Sequence, residues 1–493
     1  MKRASVLQTP MRIRTQFAIQ LGGGILNTLV LLAFTPILVR TLGLERYGVL
    51  LLVLGFALYA GLAEFGVGMA TARFIAKAED ELERSRVLGA SLMVSAPLAA
   101  VAGGLFACLS FRDLGMKVGL SNSVAIELEN ARAALFFLGM SLVLSSVLSG
   151  LMYGLQRFIA LNLISLLSTA TYTLAPAGYA VVIGHDISGL IWSVDLGQLL
   201  LITVGMVLCG RAHFYPVFRG VDATLIRGLF HYGAWSTLGS ALHRATNSID
   251  RPFIGALIGA ATIPFFAVPQ SIVSRSSIVV GALTGSVFPR LSRLEGTSAY
   301  RELLKTCYRS ACSLAPLYII GILVFPLFLK FWLGSAFAES AAAVAILLGL
   351  AGWLDAIGSV PYAALTATHK ISRESKLASL VLLPNLGLLC ISLIHFGILG
   401  AAGVAVARSA AYLIGRILVA DLKAAPLIDI CLQTFLVSLA SAFALSRPSE
   451  PVQGGFFLAG VSVAVIIIRG GPVVSDAIQK FASLKKFVNG SGL

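Results

Sequence analysis

Apolar residues in this chain run in blocks of about twenty, separated by short polar or basic breaks, and that block length decides the reading. About 20 apolar residues wound as a helix cross the roughly 30 Å hydrocarbon core of a bilayer. The pattern predicts such spans near 16–39, 47–69, 88–110, 132–153, 159–183, 188–209, 232–257, 264–288, 310–333, 341–366, 377–396, 399–419, 427–446 and 455–470. The expected fold class is an all-α polytopic membrane protein with about 14 transmembrane helices.

Composition agrees with the pattern. Of 493 residues, 57% are hydrophobic and only 12% charged, against roughly 25% charged in soluble domains, and the mean hydropathy is +0.91. The apolar run behind the basic start MKRASVLQTPMRIR is longer than the roughly 7–15 residues of a signal peptide and is read as a retained first span. The six cysteines form no CxxC pair and read as packing residues, so no metal site is expected.

A net charge of +15 could by itself mark a nucleic-acid binder. Its distribution excludes that. With the N terminus inside, the inner loops hold most of the lysines and arginines, among them Arg73, Lys77, Arg84, Arg86, Arg290, Arg293, Lys370 and Lys376. The positive-inside rule then places both termini in the cytoplasm and makes the basic excess a topology signal. Loops are too short for a soluble catalytic domain. There is no GxxxxGK[ST] loop, HExxH or paired-aspartate motif either, so no catalytic residue and no cofactor is expected. Past Gly471, VSDAIQKFASLKKF suits either an interfacial helix or a frayed tail.

A weak repeat divides the chain. TPILVRTLGL from Thr35 resembles RPFIGALIGA from Arg251, with Pro36 matched to Pro252 and Gly43 to Gly259, both 216 apart. GLQRF at Gly154 and ATHKI at Ala367 come next, at an offset of 213. The expected layout is a 1–15 N-terminal segment, six-helix halves at 16–210 and 232–420 joined by a 211–231 linker, an appended pair at 427–470 and a 471–493 tail. The offset spans an even number of helices, so the halves share one orientation.

Ionisable residues inside the spans are the candidates for function. A charge at mid-bilayer costs at least about 2.5–3.5 kcal/mol and normally faces protein or water. In the seventh span Ser236, Ser240, His243, Arg244, Asn247, Asp250 and Arg251 recur at steps of three and four, forming one polar stripe. The equivalent stripe of the first span, Gln16, Gln20, Gly24 and Asn27, is uncharged. Arg275 and Arg408 add positive charge in the eighth and twelfth spans, while Asp195, Asp355 and Glu64 are acidic candidates for ion coupling. Two readings stand side by side: groups that satisfy one another at helix contacts, or the lining of a path. Asp195 and Arg408, 213 apart and so equivalent in the repeat, are either a cross-half ion pair or separate sites. Asp355 and Glu64 are read as lying near helix ends.

The segments FAIQLGGGILNTLVLLAFTPILVRTLGLERYGVL, LAEFGVGMATARFIA, GLQRF at Gly154, SIDRPFIGALIG at Ser248 and VFPRLSRL at Val287 give the chain a family. In order and spacing it resembles the polysaccharide transporter, or oligosaccharide flippase, branch of the multidrug/oligosaccharidyl-lipid/polysaccharide exporter superfamily. That resemblance implies two six-helix bundles around a central cavity, two further helices, and alternating access. It implies a cargo of oligosaccharide on undecaprenyl pyrophosphate, moved across the bacterial inner membrane for O-antigen, capsule or exopolysaccharide export. Membrane lipids, a polysaccharide polymerase and a chain-length regulator are the implied partners.

By motif position Asp250 and Arg251 match the family's acidic and basic pair, and Glu64 and Arg73 match polar positions at the end of the second span. ATHKI departs from the pattern, and His243 and Arg244 have no counterpart in it. On this reading Arg244, Arg251, Arg275, Arg408, Asn247, His243 and Asn27 meet the pyrophosphate or acidic sugar. Arginine offers phosphate oxygens charge-assisted, often bidentate bonds. Asp195, Asp250, Glu64 and Asp355 would couple H+ or Na+. The rival readings are a peptidoglycan-precursor flippase or multidrug exporter on the same fold, and a membrane-embedded polymerase or ligase.

Overall fold

The structure, a computed structural model, describes residues 13–110, 119–155, 157–209, 221–233, 249–276, 298–367, 371–420, 426–446, 458–459 and 461–462. Every regular element among them is helical. In order they are α1 (Ile13–Ala63), α2 (Val67–Lys77), α3 (Glu81–Cys108), α4 (Asn122–Asn130), α5 (Arg132–Gly154), α6 (Phe158–Val182) and α7 (Ile187–Cys209). Then come α8 (223–233), α9 (Asp250–Leu257), α10 (263–276), α11 (Ser298–Cys312), α12 (Ala315–Leu333), α13 (Ser335–Ala367), α14 (Ile371–Ala420) and α15 (Leu427–Ser446). Among the described residues, eight stretches are long and apolar enough to cross a membrane. Two of these, in α1 and α14, are double: non-helical glycines, Gly43 (φ 73°) and Gly397 (φ 60°), break them into two legs each. The legs match the expected first, second, eleventh and twelfth spans.

The matched glycines of the repeat share a backbone feature. Gly259, the partner of Gly43, has φ 118° and lies between α9 and a 3-10 turn at Ala260–Thr262. A side chain at such a φ is strained, so glycine at both positions lets one span end and the next begin within a few residues. One expected boundary moves. The second span, expected over 47–69, stops at Ala63, because Phe65 (φ 45°) and Gly66 (φ 63°) are both left-handed and start α2 as a separate helix. Asp80 starts α3 in turn: its carboxylate accepts from the Glu83 N–H at 2.6 Å, and Glu83 accepts from the Glu79 N–H at 2.8 Å.

The helices cluster into two compact units, Met1–Ala267 and Val268–Leu493. Lipid tails are as apolar as leucine, so helices in a bilayer associate through close packing and internal hydrogen bonds. In the first unit Gly139 of α5 sits on Ala102 and Gly103 of α3, and the buried Thr71 hydroxyl donates to Ser91 at 2.8 Å. In the second unit Trp353 of α13 is fully buried, edge-on to Tyr318 of α12 at 5.4 Å, and its indole N–H donates to Thr434 of α15 at 3.3 Å. Ser462 donates to the buried Gln433 at 2.6 Å, so the described part of the appended pair is bonded into this unit.

Beyond the Gly43 end of the spans, a polar network ties the connections of the first unit together. Arg46 grips Glu127 of α4 with two hydrogen bonds, and Glu45 accepts from Ser121, which precedes α4. Asp186 caps α7: it accepts from the Gly189 N–H at 2.8 Å and from the Tyr179 hydroxyl at 2.6 Å. Partial burial opposes ionisation of Asp186, but the bonds from Tyr179 and Gly189 and the charge of Arg46 outweigh it and hold the carboxyl below its ordinary value. A carboxyl depressed in this way stabilises the fold above its unfolded value of about 3.9, and the contribution fades as pH falls through the lower folded value. Asp186→Ala is therefore expected to cost about 1 kcal/mol at pH 7. The melting-temperature gap between variant and parent should shrink on going to pH 3, read by thermal unfolding in detergent.

Candidate functional site

In the second unit the polar groups converge on Asp355. It lies twelve residues before the end of α13, well inside the helix and not near its end as expected, because α13 runs unbroken from Ser335 to Ala367. Ser409 donates to its carboxylate, and the charges of Arg408 and Arg416 reach it from the same leg of α14. The Tyr318 ring on α12 lies close enough to feel the carboxylate, and its hydroxyl shares a 2.7 Å hydrogen bond with Ser276 of α10. Asp355 itself is exposed, whereas Arg408 is buried. Asp355 and Arg408, expected to serve ion coupling and cargo separately, thus lie within reach of each other's charge.

Next to it is a cluster the sequence pattern had not singled out. Arg416 is buried and makes a bidentate pair with the buried Glu374, Nε to Oε1 at 2.9 Å and Nη2 to Oε1 at 2.6 Å, with Nε also 3.2 Å from Oε2. Its Nη1 donates to the Gly358 carbonyl at 3.4 Å. The guanidinium lies over the rings of Tyr362, at 5.1 Å, and Tyr412, at 4.8 Å. The signal was present: Arg408, Tyr412 and Arg416 recur every four residues, the same kind of stripe that drew attention to the seventh span.

In the first unit, which also holds Glu64 and Asp250, Asp195 lies on α7. It is buried, and neither carboxylate oxygen has a hydrogen-bond partner among the described residues. Tyr172 of α6 is close enough to feel its charge, and Gln198, one turn on, is buried as well. Asn27 on α1 is buried with its carbonyl oxygen likewise unbonded. Asp195 and Asn27 are thus each a buried acceptor with no hydrogen-bond partner among the described residues.

The described end of the seventh span packs on the second leg of α1. Asp250 is fully buried at the start of α9, and Arg251, next in the chain, is half-buried. The Arg251 side chain passes Gly55, and its charge reaches the buried Tyr47. One heptad before Gly55, a Cβ on Gly48 would lie 2.0 Å from the Ala260 carbonyl oxygen. The contact exists only because position 48 has no side chain.

Of the remaining candidates, Arg275 is half-buried on α10 beside Ser276, and Glu64 sits at the corner between α1 and α2, as expected of a residue near a helix end. His243, Arg244 and Asn247 lie outside the described residues. Among the described residues no cluster of three or more His, Cys, Asp or Glu could hold a metal ion.

This is the architecture of a polytopic transporter with ionisable residues built into its spans. The chain belongs to the family described as "Polysaccharide biosynthesis protein", which matches residues 14–295. A Shigella flexneri protein named "Putative O-antigen transporter" is 25% identical over 396 residues, 78% of this chain and 91% of that protein. Among solved structures, a lipid II flippase, MurJ, in an inward closed conformation superposes with a TM-score of 0.68 at 14% identity, covering 94% of this chain and 99% of that one. An inward-facing multidrug resistance transporter of the MATE family superposes with a TM-score of 0.58 at 16% identity, covering 88% and 99%. The two structures share the fold; the family and its relatives are transport proteins and not enzymes.

The α1 contact depends on Gly48. Gly48→Ala should destabilise the protein by about 1–3 kcal/mol, the usual result of overpacking. Gly55→Ala, whose new Cβ would meet Arg251 at an ordinary 3.6 Å, should change it far less. Thermal melting of the two purified variants side by side makes the comparison.

Proposed function

We propose that this protein is a flippase that carries an undecaprenyl-pyrophosphate-linked oligosaccharide from the inner to the outer leaflet of the bacterial inner membrane by alternating access. Both termini would lie in the cytoplasm, and the glycan would be an O-antigen, capsule or exopolysaccharide unit that a polymerase and chain-length regulator take up. The observation that carries this reading is the family match over residues 14–295, in a chain whose fold is that of a lipid II flippase along almost its whole length.

Physical chemistry supports the cargo class. A pyrophosphate with sugars attached cannot enter hydrocarbon without replacement for its hydration, and guanidinium groups replace it well. Arg251, Arg275 and Arg408, with Arg244, His243, Asn247 and Asn27, are the proposed contacts for the headgroup, while the polyprenyl tail stays in lipid. Asp195 and Asp355 are the proposed sites for the coupling H+ or Na+, with Asp250 and Glu64 as secondary candidates. Asp195 leads because its two oxygens are buried and unbonded among the described residues.

A peptidoglycan precursor presents the same pyrophosphate chemistry, and the MurJ likeness keeps that cargo as the second reading. Depletion separates the two: loss of surface polysaccharide with normal wall synthesis fits the first, and arrested wall synthesis the second.

In proteoliposomes, Arg408→Ala and Arg251→Ala should each slow translocation of a fluorescent undecaprenyl-pyrophosphate oligosaccharide at least tenfold. Asp195→Asn should abolish the response to an imposed H+ or Na+ gradient while leaving cargo binding within about twofold. Wild-type rates in both arginine variants would refute the cationic path.

A further inference from the structure

We propose that Glu374 and Arg416 are positioning residues: the pair holds α13 against the second leg of α14 so that Asp355 stays opposite Ser409 and Arg408. The proposal rests on the reading of Asp355 as a working group of the transport cycle, but its geometry stands apart from the cargo.

Arg416 stands two turns along from Arg408 on a membrane helix, a position from which a guanidinium could meet a phosphate. The structure gives it another task. Its Nε and Nη2 are spent on Glu374, its Nη1 points at the Gly358 carbonyl, and tyrosine rings lie against the guanidinium. A phosphate would have to displace a buried carboxylate to reach it, leaving Glu374 as an unpaired charge among apolar groups.

The contacts of the pair also name what it positions. Glu374 stands in the first turn of α14, Arg416 and Tyr412 near the end of the same helix, and Gly358 and Tyr362 on α13. Three spans are joined at one point. Asp355 lies three residues before Gly358 and seven before Tyr362, hence on the same face of α13 as both. Ser409 and Arg408 lie seven and eight residues before Arg416, hence about two turns along its leg. The clamp and the Asp355 site are two levels of one helix contact. A small rotation or slide of α13 at the lower level moves Asp355 away from Ser409 at the upper one.

Arginine suits this task where lysine does not. A planar fork can bond a carboxylate twice, reach a carbonyl with its other nitrogen and present flat faces to aromatic rings at the same time. An ammonium keeps the charge and loses that geometry. Arg416→Lys is thus the informative change, and Glu374→Asp, which retains both charges and shortens one arm, is the companion should the lysine variant fail to fold.

The test uses the full chain in lipid nanodiscs with its six native cysteines replaced and a new pair, Asp355→Cys with Ser409→Cys. Copper phenanthroline supplies the oxidant, and disulfide closure is followed by mass spectrometry of the digested chain. Closure should be at least fivefold slower when Arg416→Lys or Glu374→Asp is added; equal rates would overturn the proposal. A second arm uses the same fluorescent lipid-linked cargo with Asp355 and Ser409 intact. Arg416→Lys should lower turnover about tenfold with KM within twofold, whereas Arg408→Lys should raise KM. A KM increase in Arg416→Lys equal to that in Arg408→Lys would make Arg416 a cargo ligand, and unchanged turnover would make the pair a brace with no part in positioning. If the wild-type protein moves no such cargo, the flippase reading fails while the disulfide rates still decide the positioning role.

Discussion

A charge carried into hydrocarbon must bring its compensation with it, and the interior of this protein is organised by that requirement. Apolar helices in lipid gain little from burying apolar surface against each other, so what distinguishes one helix arrangement from another is how the few polar groups are satisfied. Glu374 and Arg416 show compensation carried to completion, with the carboxylate gripped from two nitrogens and the guanidinium's remaining nitrogen on a backbone carbonyl. Removing one partner of such a pair strands the other, at about 3–5 kcal/mol, whereas the intact pair adds little to net stability. Its value lies in specifying which helices meet, and where.

The same requirement sorts the acidic residues into kinds. Glu374 is fully compensated and closed. Asp355 is partly compensated, by Ser409 and the nearby arginines. Asp195 is buried with neither oxygen bonded among the described residues. A carboxylate with full compensation has no reason to change its partner during a transport cycle; one with none in this arrangement is where a proton or cation lowers the energy most. Charge compensation, not mere presence inside a span, is what distinguishes these three acids from one another.

Much of the architecture was legible from the run lengths of apolar residues, because the bilayer fixes how long a spanning helix must be. Boundaries failed where the backbone, not hydropathy, ends a helix: Phe65 and Gly66 stop the second span several residues early although LAEFGVGMA is apolar apart from Glu64. The short α4 was invisible for the opposite reason, since nine residues with only Val124, Ala125 and Leu128 turned inward carry too little periodicity to register. Individual site residues such as Arg408 and Asp355 could be picked out as misplaced charges. That they belong together, and that Glu374 and Arg416 stand beside them, depends on contacts across tens of residues. Hydropathy cannot report such contacts.

Two corners of the fold share a backbone conformation but not the contacts made there. Gly43 and Gly259, 216 residues apart, both take positive φ where one span gives way to the next, so a backbone conformation persists where almost no side chains do. The segments after the two breaks differ. After Gly43 come Glu45 and Arg46, which bond α4 and the residue before it, while after Gly259 comes the AATIP turn, whose Ala260 carbonyl needs the bare backbone of Gly48. A corner conformation is set by sterics at a single residue and survives sequence drift; the contacts built on it are set by many side chains and do not. The two glycines therefore show where the chain must turn, and the residues that follow each show what that corner holds.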